Sequence, residues 1–121
     1  MNRRVLLVDD EPRVLDGYRR TLRRQFDVVT KTSGHEGLAE IQATGPFAVV
    51  VSDYRRPEMN GVDFLTKVGE VAPDTVRMML TGQADMQATI AAINDGRVFR
   101  FLTKPCPPET LATALSDGVE Q

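Results

Sequence analysis

The chain has 121 residues, 41% of them hydrophobic and 26% charged, and a formal net charge of −2. This size and composition exclude a disordered chain and favour one domain with its own core, while the near-neutral charge gives no general attraction to nucleic acid or to an anionic membrane. The single cysteine excludes an internal disulfide, and no apolar run looks like a signal peptide or approaches the roughly 20 residues of a membrane span, so we expect a cytoplasmic protein.

Five short runs of apolar, β-branched residues are spaced along the chain and predict five β-strands. The predicted strands are residues 4–8, 26–30, 48–52, 76–80 and 98–102. The first, third and fourth runs are almost continuously apolar, which is typical of strands that are covered on both faces of a sheet.

Segments of helical periodicity lie between these runs and after the last one. The five predicted helices start after residues 10–12, at the capping-box pair Ser33 and Glu36, near Gly61, near Asp85 and after residues 107–109. The third is expected to end at about Val71 and the fourth at Gly96. Strands that alternate with helices imply right-handed crossovers, and therefore a doubly wound α/β domain with a parallel sheet and helices on both faces.

Acidic residues follow two of the predicted strands. Asp9 and Asp10 come directly after the first strand, and Asp53 comes after the third. Because open α/β sheets place their chemistry at the carboxyl ends of the strands, we expect these carboxylates to meet in one pocket. Close carboxylates repel one another unless a cation binds, and a hard oxygen site with room for water favours Mg²⁺. The alternative is that the first two acids only stabilise the N-terminus of the first helix.

Four short motifs make the chain resemble the receiver domain of two-component response regulators over essentially its whole length. They are the acidic pair within residues 8–12, Asp53 with Pro57, Met59, Asn60 and Gly61, the tripeptide Leu80-Thr81-Gly82, and residues 101–105. Each motif is weak by itself, but four in order at the expected strand ends are highly specific. The resemblance implies a flavodoxin-like (βα)5 fold with sheet order 2-1-3-4-5, and a receiver domain over residues 1–121 with no output domain in this chain.

The same resemblance implies a role for each residue of the site. Asp53 would accept a phosphoryl group as an acyl phosphate, from a sensor histidine kinase, a phosphotransfer protein or a small acyl phosphate. Asp10 and Asp53 would bind Mg²⁺ directly, with Mn²⁺ as a possible substitute, Asp9 would bind it through water, and the backbone carbonyl of Arg55 would be a further ligand. Lys104 would pair with the carboxylate and then with the phosphate.

A signal would leave the site through Thr81 and Phe101. Phosphorylation adds negative charge and acceptor oxygens, and the Thr81 hydroxyl could donate to one of them. Its movement would open a space for Phe101, which has no hydroxyl, so coupling would depend on burial; the alternative is that Phe101 is a plain core aromatic. The output surface would be the fourth helix, the fifth strand and the fifth helix. In the family, the bond between Lys104 and Pro105 is cis.

Three residues near the site are candidates for tuning the lifetime of the phosphoryl group. Arg56 stands where family members commonly carry Met, and with Arg55 it makes the loop after Asp53 cationic. These guanidinium groups could attract a phosphodonor or shield the acyl phosphate, or they could be solvated loop residues. Gln83, two residues past Thr81, is a second position that could reach the attacking water.

The resemblance also implies partners. Besides a kinase, we expect an output domain in cis or a partner in trans, and residues 99–105 are similar to receivers joined to cyclic-dinucleotide phosphodiesterase or transcription-activator domains. A phosphorylation-dependent homodimer is open, and we expect neither direct nucleic-acid binding nor a membrane contact. The arginines of the first helix are interpreted as a solvated face because no aromatics are interleaved with them, and a kinase contact is the more useful hypothesis there.

Three other functions fit parts of this pattern. A Mg²⁺-dependent phosphatase of related architecture would carry a second acid two residues after its nucleophile, where this chain has Arg55, so we expect a phosphoacceptor module and no enzyme acting on outside substrates. A dinucleotide or flavin binder would need a glycine-rich first loop in place of Asp9 and Asp10. A degenerate receiver that binds a partner without phosphorylation is disfavoured by the intact set of site residues.

Overall fold

A central β-sheet organises the protein in the computed structural model, which describes residues 2–54, 59–87, 90–91 and 100–120. The strands are β1 Arg4–Val8, β2 Asp27–Lys31, β3 Val49–Asp53, β4 Val76–Thr81 and β5 Arg100–Thr103. The helices are α1 Pro12–Leu22, α2 Gly34–Thr44, α3 Gly61–Val71 and the C-terminal helix Pro108–Val119, with a 3₁₀ turn at Gln83–Asp85. No helix in the described ranges has both the length and the apolar composition needed to cross a bilayer.

All strand pairs are parallel, and the sheet order is β2-β1-β3-β4-β5. This confirms the predicted doubly wound α/β fold. The reversal of strand order lies between β1 and β3, which is where such sheets open a crevice at their carboxyl ends. Asp9, Asp10 and Asp53 belong to the ends of these two strands.

Two hydrophobic cores lie on opposite faces of the sheet because successive strand residues point to opposite sides. Val5, Leu7, Val49 and Val51 pack with α1 and the C-terminal helix. The intervening strand residues pack with α2 and α3, around Phe64, which is fully buried. Helices on both faces explain the long apolar runs within the central strands.

The predicted strand limits were wrong by one residue at several ends. β2 begins at Asp27 because the backbone N–H of Phe26 donates to Leu22 in the turn that closes α1, which keeps Phe26 out of the ladder. β3 begins at Val49 and extends to Asp53, which pairs with Leu80. β4 and β5 each extend one residue further than predicted, since their last residues, Thr81 and Thr103, pair with each other. Residues 98 and 99 of the predicted fifth strand lie outside the described residues.

Local capping explains where α2 and α3 start. Ser33 accepts a hydrogen bond from the backbone N–H of Glu36, as the capping-box prediction requires, and Asn60 accepts one from Asp63 at the start of α3. The predicted fourth helix is covered only in part. Helical residues follow the 3₁₀ turn at positions 86, 87, 90 and 91, and its predicted end at Gly96 lies outside the described residues.

Candidate functional site

Three carboxylates meet at the carboxyl edge of the sheet. Asp53 is the last residue of β3, and Asp9 and Asp10 follow β1, whose last residue pairs with Ser52. One oxygen from each of the three carboxylates lies within 4.8 Å of the others. The structure therefore brings together the three acids that the sequence placed at separate strand ends.

Burial raises the free-energy cost of keeping the negative charges of this cluster close together. Asp9 and Asp53 are each only 6% exposed, whereas Asp10 is exposed. Desolvation, with repulsion from Asp53 and Asp10, raises the pKa of Asp9 to about 6, against the opposing effects of a hydrogen bond from the N–H of Glu11 and of the Lys104 charge. A site with three hard oxygen donors and excess negative charge fits a divalent cation such as Mg²⁺.

Asp9 also has a local structural role. Its Oδ1 accepts a hydrogen bond of 2.9 Å from the backbone N–H of Glu11, the residue at the N-cap position of α1. Glu11 itself makes no side-chain capping bond, and α1 has no acid in its first turn. Stabilisation of the helix therefore accounts for only one contact of Asp9. The carboxylates also face one another in the pocket.

Lys104, the residue after β5, brings a cation into this pocket. The Lys104 ammonium forms an ion pair with Oδ1 of Asp53. The backbone N–H of Lys104 donates to the carbonyl of Thr81 at 2.9 Å, which holds the residue at the end of β4. The bond between Lys104 and Pro105 is cis, as the resemblance implied. The ion pair is the contact that the counter-cation hypothesis requires, and the role of Lys104 in phosphoryl transfer stays a prediction.

Thr81 and Gly61 border the pocket from two other elements. Thr81 ends β4, is fully buried, and donates its hydroxyl to the carbonyl of Gly82 at 3.3 Å. After Asp53 the chain turns at Tyr54, whose N–H donates to Leu80 and whose carbonyl accepts from Gly61, both at 2.9 Å. The acid is thus held between the neighbouring strand and the first residue of α3.

Phe101, the predicted switch residue, lies at the surface, with 39% of its area exposed. It is on β5, paired with Met79. It lies outside both cores because β5 is an edge strand, three of whose four residues are exposed, and its switch role stays a prediction. Next to it along the chain, Thr103 and Lys104 line a cavity of about 370 Å³ with Gln83, Met86 and Gln87. The proposed tuning residue Gln83 is therefore close to the Lys104 side of the site.

Arg55 and Arg56 lie outside the described residues, so the carbonyl ligand and the cationic loop stay predictions. The part of the output surface between residues 92 and 99 also lies outside the described residues and stays a prediction.

One contact was missed by sequence reasoning. The Tyr18 hydroxyl on α1 donates to the carbonyl of Cys106 at 2.7 Å, and burial, the largest cause, raises the pKa of Tyr18 to about 12. This bond ties α1 to the segment that follows Lys104 and Pro105. The two residues are 88 positions apart, and Tyr18 read only as part of an apolar helix face, so nothing local signalled the pair.

Comparison with a family model shows which protein family this chain belongs to. The family model described as the response regulator receiver domain matches residues 5–116. The chain belongs to this family. The receiver domain is 37% identical over 116 residues to the hydrogenase transcriptional regulatory protein HoxA of Cupriavidus necator, covering 96% of this chain and 24% of that protein. It is 37% identical over 119 residues to the transcriptional regulatory protein GlrR of Escherichia coli, covering 97% and 26%.

One solved structure is similar over almost the whole chain. The receiver domain matches a crystal structure of adenylate cyclase from Rhodopirellula baltica with a TM-score of 0.94 and 40% identity, covering 99% of this chain and 89% of that one. The chain spans about a quarter of the length of the two transcriptional regulators. It is therefore similar to the regulatory module of longer proteins.

Proposed function

We propose that this receiver domain is a phosphorylation-dependent switch, and that Asp53 accepts the phosphoryl group. The observation that carries the proposal is the ion pair of Lys104 with Asp53 inside the cluster of three carboxylates. A carboxylate that is buried, aimed at a strand-end pocket and paired with one flexible cation is suited to nucleophilic attack on phosphorus.

The chain's own residues would divide the reaction as follows. One carboxylate oxygen of Asp53 forms a bond to phosphorus, while the bond from phosphorus to the donor's histidine nitrogen or acyl oxygen breaks and its electron pair leaves with the donor. Lys104 exchanges its partner from the carboxylate to the new phosphoryl oxygens, which its flexible stem permits. The Thr81 hydroxyl exchanges its bond to Gly82 for one to the same group.

Asp9, Asp10 and Asp53 are the described residues that would hold Mg²⁺, and the carbonyl of Arg55 is proposed as a further ligand. When bound, the ion would offset negative charge on the phosphoryl oxygens and so permit attack by an anion. Mn²⁺ would serve as a substitute because it shares the preference for oxygen ligands.

The output surface is proposed to be β5, the C-terminal helix and the helical residues after the 3₁₀ turn. Movement of Thr81 toward the phosphoryl group would draw on the segment that follows it, and the exposed Phe101 would then turn inward. Burial of an aromatic ring supplies the free energy for this step, since Phe101 has no hydroxyl to bond.

The proposed phosphodonor is a sensor histidine kinase, a phosphotransfer protein or a small acyl phosphate, acting in the cytoplasm. The proposed output is a transcription-activator domain in cis, which the names of HoxA and GlrR support, with a partner in trans or a phosphorylation-dependent homodimer as the alternatives. We propose a regulatory role without turnover of outside substrates, because the position two residues after Asp53 holds Arg55 in place of an acid.

The test is phosphorylation with acetyl phosphate and Mg²⁺, followed by intact mass, together with backbone NMR of the beryllofluoride complex. We expect the mass of one phosphoryl group on the wild type, and amide shifts at Asp53, Thr81, Phe101 and the C-terminal helix.

Asp53→Asn should remove the adduct, whereas the matched control Asp74→Asn, an exposed acid away from the pocket, should leave it unchanged. A wild-type protein without a Mg²⁺-dependent adduct, or an equal adduct on Asp53→Asn, would refute the proposal.

A further inference from the structure

A cleft at the amino-terminal ends of the strands is lined by a third of the chain's fifteen basic residues. Its volume is about 780 Å³, and it lies between the end of α1, the turn before β2 and the residue before β1. Five arginines line it: Arg3, Arg19, Arg20, Arg23 and Arg24. The cleft is of the size of small-molecule sites, which span about 300–1,000 Å³.

The arginines that α1 and its C-terminal turn contribute to the cleft make no ion pair with other described residues. Two acids, Asp16 and Asp27, also line the cleft, but Asp27 pairs with Arg4 at 3.4 Å. The helix dipole favours cations at this end of α1, yet it accounts for a partial charge of only about one half.

Arg3 is fixed in place at the wall of the cleft. Its Nε donates to the carbonyl of Gln25 at 2.7 Å, and its guanidinium lies over the Phe26 ring, 4.9 Å from the centroid. A guanidinium that is already ordered loses less conformational freedom when it binds an anion.

The cleft is separate from the carboxylate pocket. Arg3 precedes β1 and Asp27 begins β2, whereas Asp53 ends β3, so the two sites lie at opposite edges of a parallel sheet. Strands of five residues span roughly 16 Å. The predicted kinase contact near α1 therefore does not require the arginines at the C-terminal end of that helix.

We propose that this cleft binds a compact oligophosphate. Guanidinium groups match phosphate oxygens in paired hydrogen bonds, and several in one concave site favour a small ligand with several charges. A nucleic-acid strand is less suited, because Phe26 is 4% exposed beneath Arg3 and offers no stacking surface, and the chain's net charge of −2 opposes a long polyanion. An extended acidic peptide would need a longer groove than one helix end and one strand start provide.

The test is an NMR titration of the metal-free protein with inorganic tripolyphosphate in the presence of a chelator. We expect saturable amide shifts at Arg3 and residues 19–28 and none at Asp53. Arg20→Gln/Arg23→Gln should weaken binding roughly tenfold or more, since two charge-assisted contacts are lost. The control Arg13→Gln/Lys67→Gln removes the same charge from exposed positions outside the cleft and should change the affinity by less than about twofold.

Two further ligands identify the source of the phosphates. Binding of ATP more tightly than tripolyphosphate would assign the site to nucleotides, and weaker binding would assign it to polyphosphate. Absence of saturable shifts, equal losses in the cleft and control variants, or tighter binding of hexaglutamate or of a DNA dodecamer would overturn the proposal. The thermal unfolding of each variant, compared with the wild type, shows that a loss of binding is not a loss of fold.

Discussion

At the scale of single residues, the site combines buried negative charge with the movable cation of Lys104. Asp9 and Asp53 are each only 6% exposed, and Lys104 forms an ion pair with Asp53 while 42% of its own side chain is exposed. An exposed stem leaves the ammonium free to change partners without disturbing the core. We therefore expect Lys104 to matter more for the chemistry of the site than for the stability of the fold.

Replacement of Lys104 tests this dependence. Lys104→Gln removes the charge and keeps a polar side chain that is one atom shorter, so Asp53 phosphorylation by acetyl phosphate should slow by roughly 100-fold. The time course of intact mass measures it, with Lys67→Gln as the control that removes an exposed charge elsewhere. A rate within about threefold of the wild type would show that Lys104 has no role in phosphoryl transfer.

The substitution Asp10→Asn should be stabilising without metal and should weaken the binding of Mg²⁺. Without metal, Asp10→Asn removes a repelling charge and should raise the free energy of unfolding by up to about 1 kcal/mol, because Asp10 is exposed and well screened. With Mg²⁺, the variant loses a ligand charge, and its affinity should fall roughly tenfold or more. Urea denaturation with and without Mg²⁺ measures both effects.

The control for Asp10→Asn is Asp74→Asn, which should change neither quantity. A lower stability of Asp10→Asn in the absence of metal would mean that repulsion among the three carboxylates is not significant.

At the scale of elements, one glycine sets the distance between α3 and β3. A Cβ on Gly61 would lie 2.6 Å from the backbone oxygen of Asp53 and 2.8 Å from the sulfur of Met79. Because the first contact is with backbone, no side-chain rotation can relieve it. The close approach keeps the start of α3 against the strand end that carries the acid.

Two alanine substitutions separate this packing role from helix propensity. Gly61→Ala should destabilise the fold by roughly 1–3 kcal/mol through overpacking and slow Asp53 phosphorylation by displacing its backbone. Gly17→Ala, in α1, has nothing within 4 Å of the added carbon and should stabilise by up to about 1 kcal/mol. Urea denaturation of both variants gives the comparison, and equal effects at the two positions would contradict the packing argument.

At the scale of the whole molecule, one sheet joins the two cores to a polar site at one edge. The core around Leu15 and Leu111 and the core around Phe64 share the central strands, so a ligand at the ends of β1 and β3 contacts the elements that both cores need. The two edges also differ in charge, with the three carboxylates at one and the arginine cleft at the other. The small net charge therefore conceals a separation of charge across the domain.

Metal binding should consequently stabilise the entire domain in one transition. Mg²⁺ at about 100 times its dissociation constant should raise the free energy of unfolding by about 2.7 kcal/mol, provided that the unfolded chain does not bind it. Thermal unfolding over a range of Mg²⁺ concentrations measures this, against NaCl of equal ionic strength. A rise that does not saturate, or that persists fully in Asp53→Asn, would place the effect outside the carboxylate pocket.

Local pattern was sufficient for much of this protein. Runs such as residues 49–51 are apolar because both faces of the sheet are covered, and acids directly after two of the runs indicated the edge where chemistry lies. Ser33 and Asn60 make their capping bonds within three residues, and α3 has the limits that its period and Pro73 predicted. These features depend on neighbours in the chain, which is why the sequence alone determined the fold class and the sheet faces. The acidic cluster joins distant residues, but it could be predicted because parallel strands place their carboxyl ends at the same side of the sheet.

Contacts between distant segments were decided only by the tertiary structure. The bond of Tyr18 to Cys106, the exposure of Phe101 and the close approach of Gly61 to Asp53 depend on how elements pack, and no short stretch of sequence carries that information. The tertiary structure also decided the surroundings of the α1 arginines, for which the sequence alone indicated a solvated face. Only the fold places Arg3 and the turn before β2 beside them, because a cleft exists where separate segments of the chain meet.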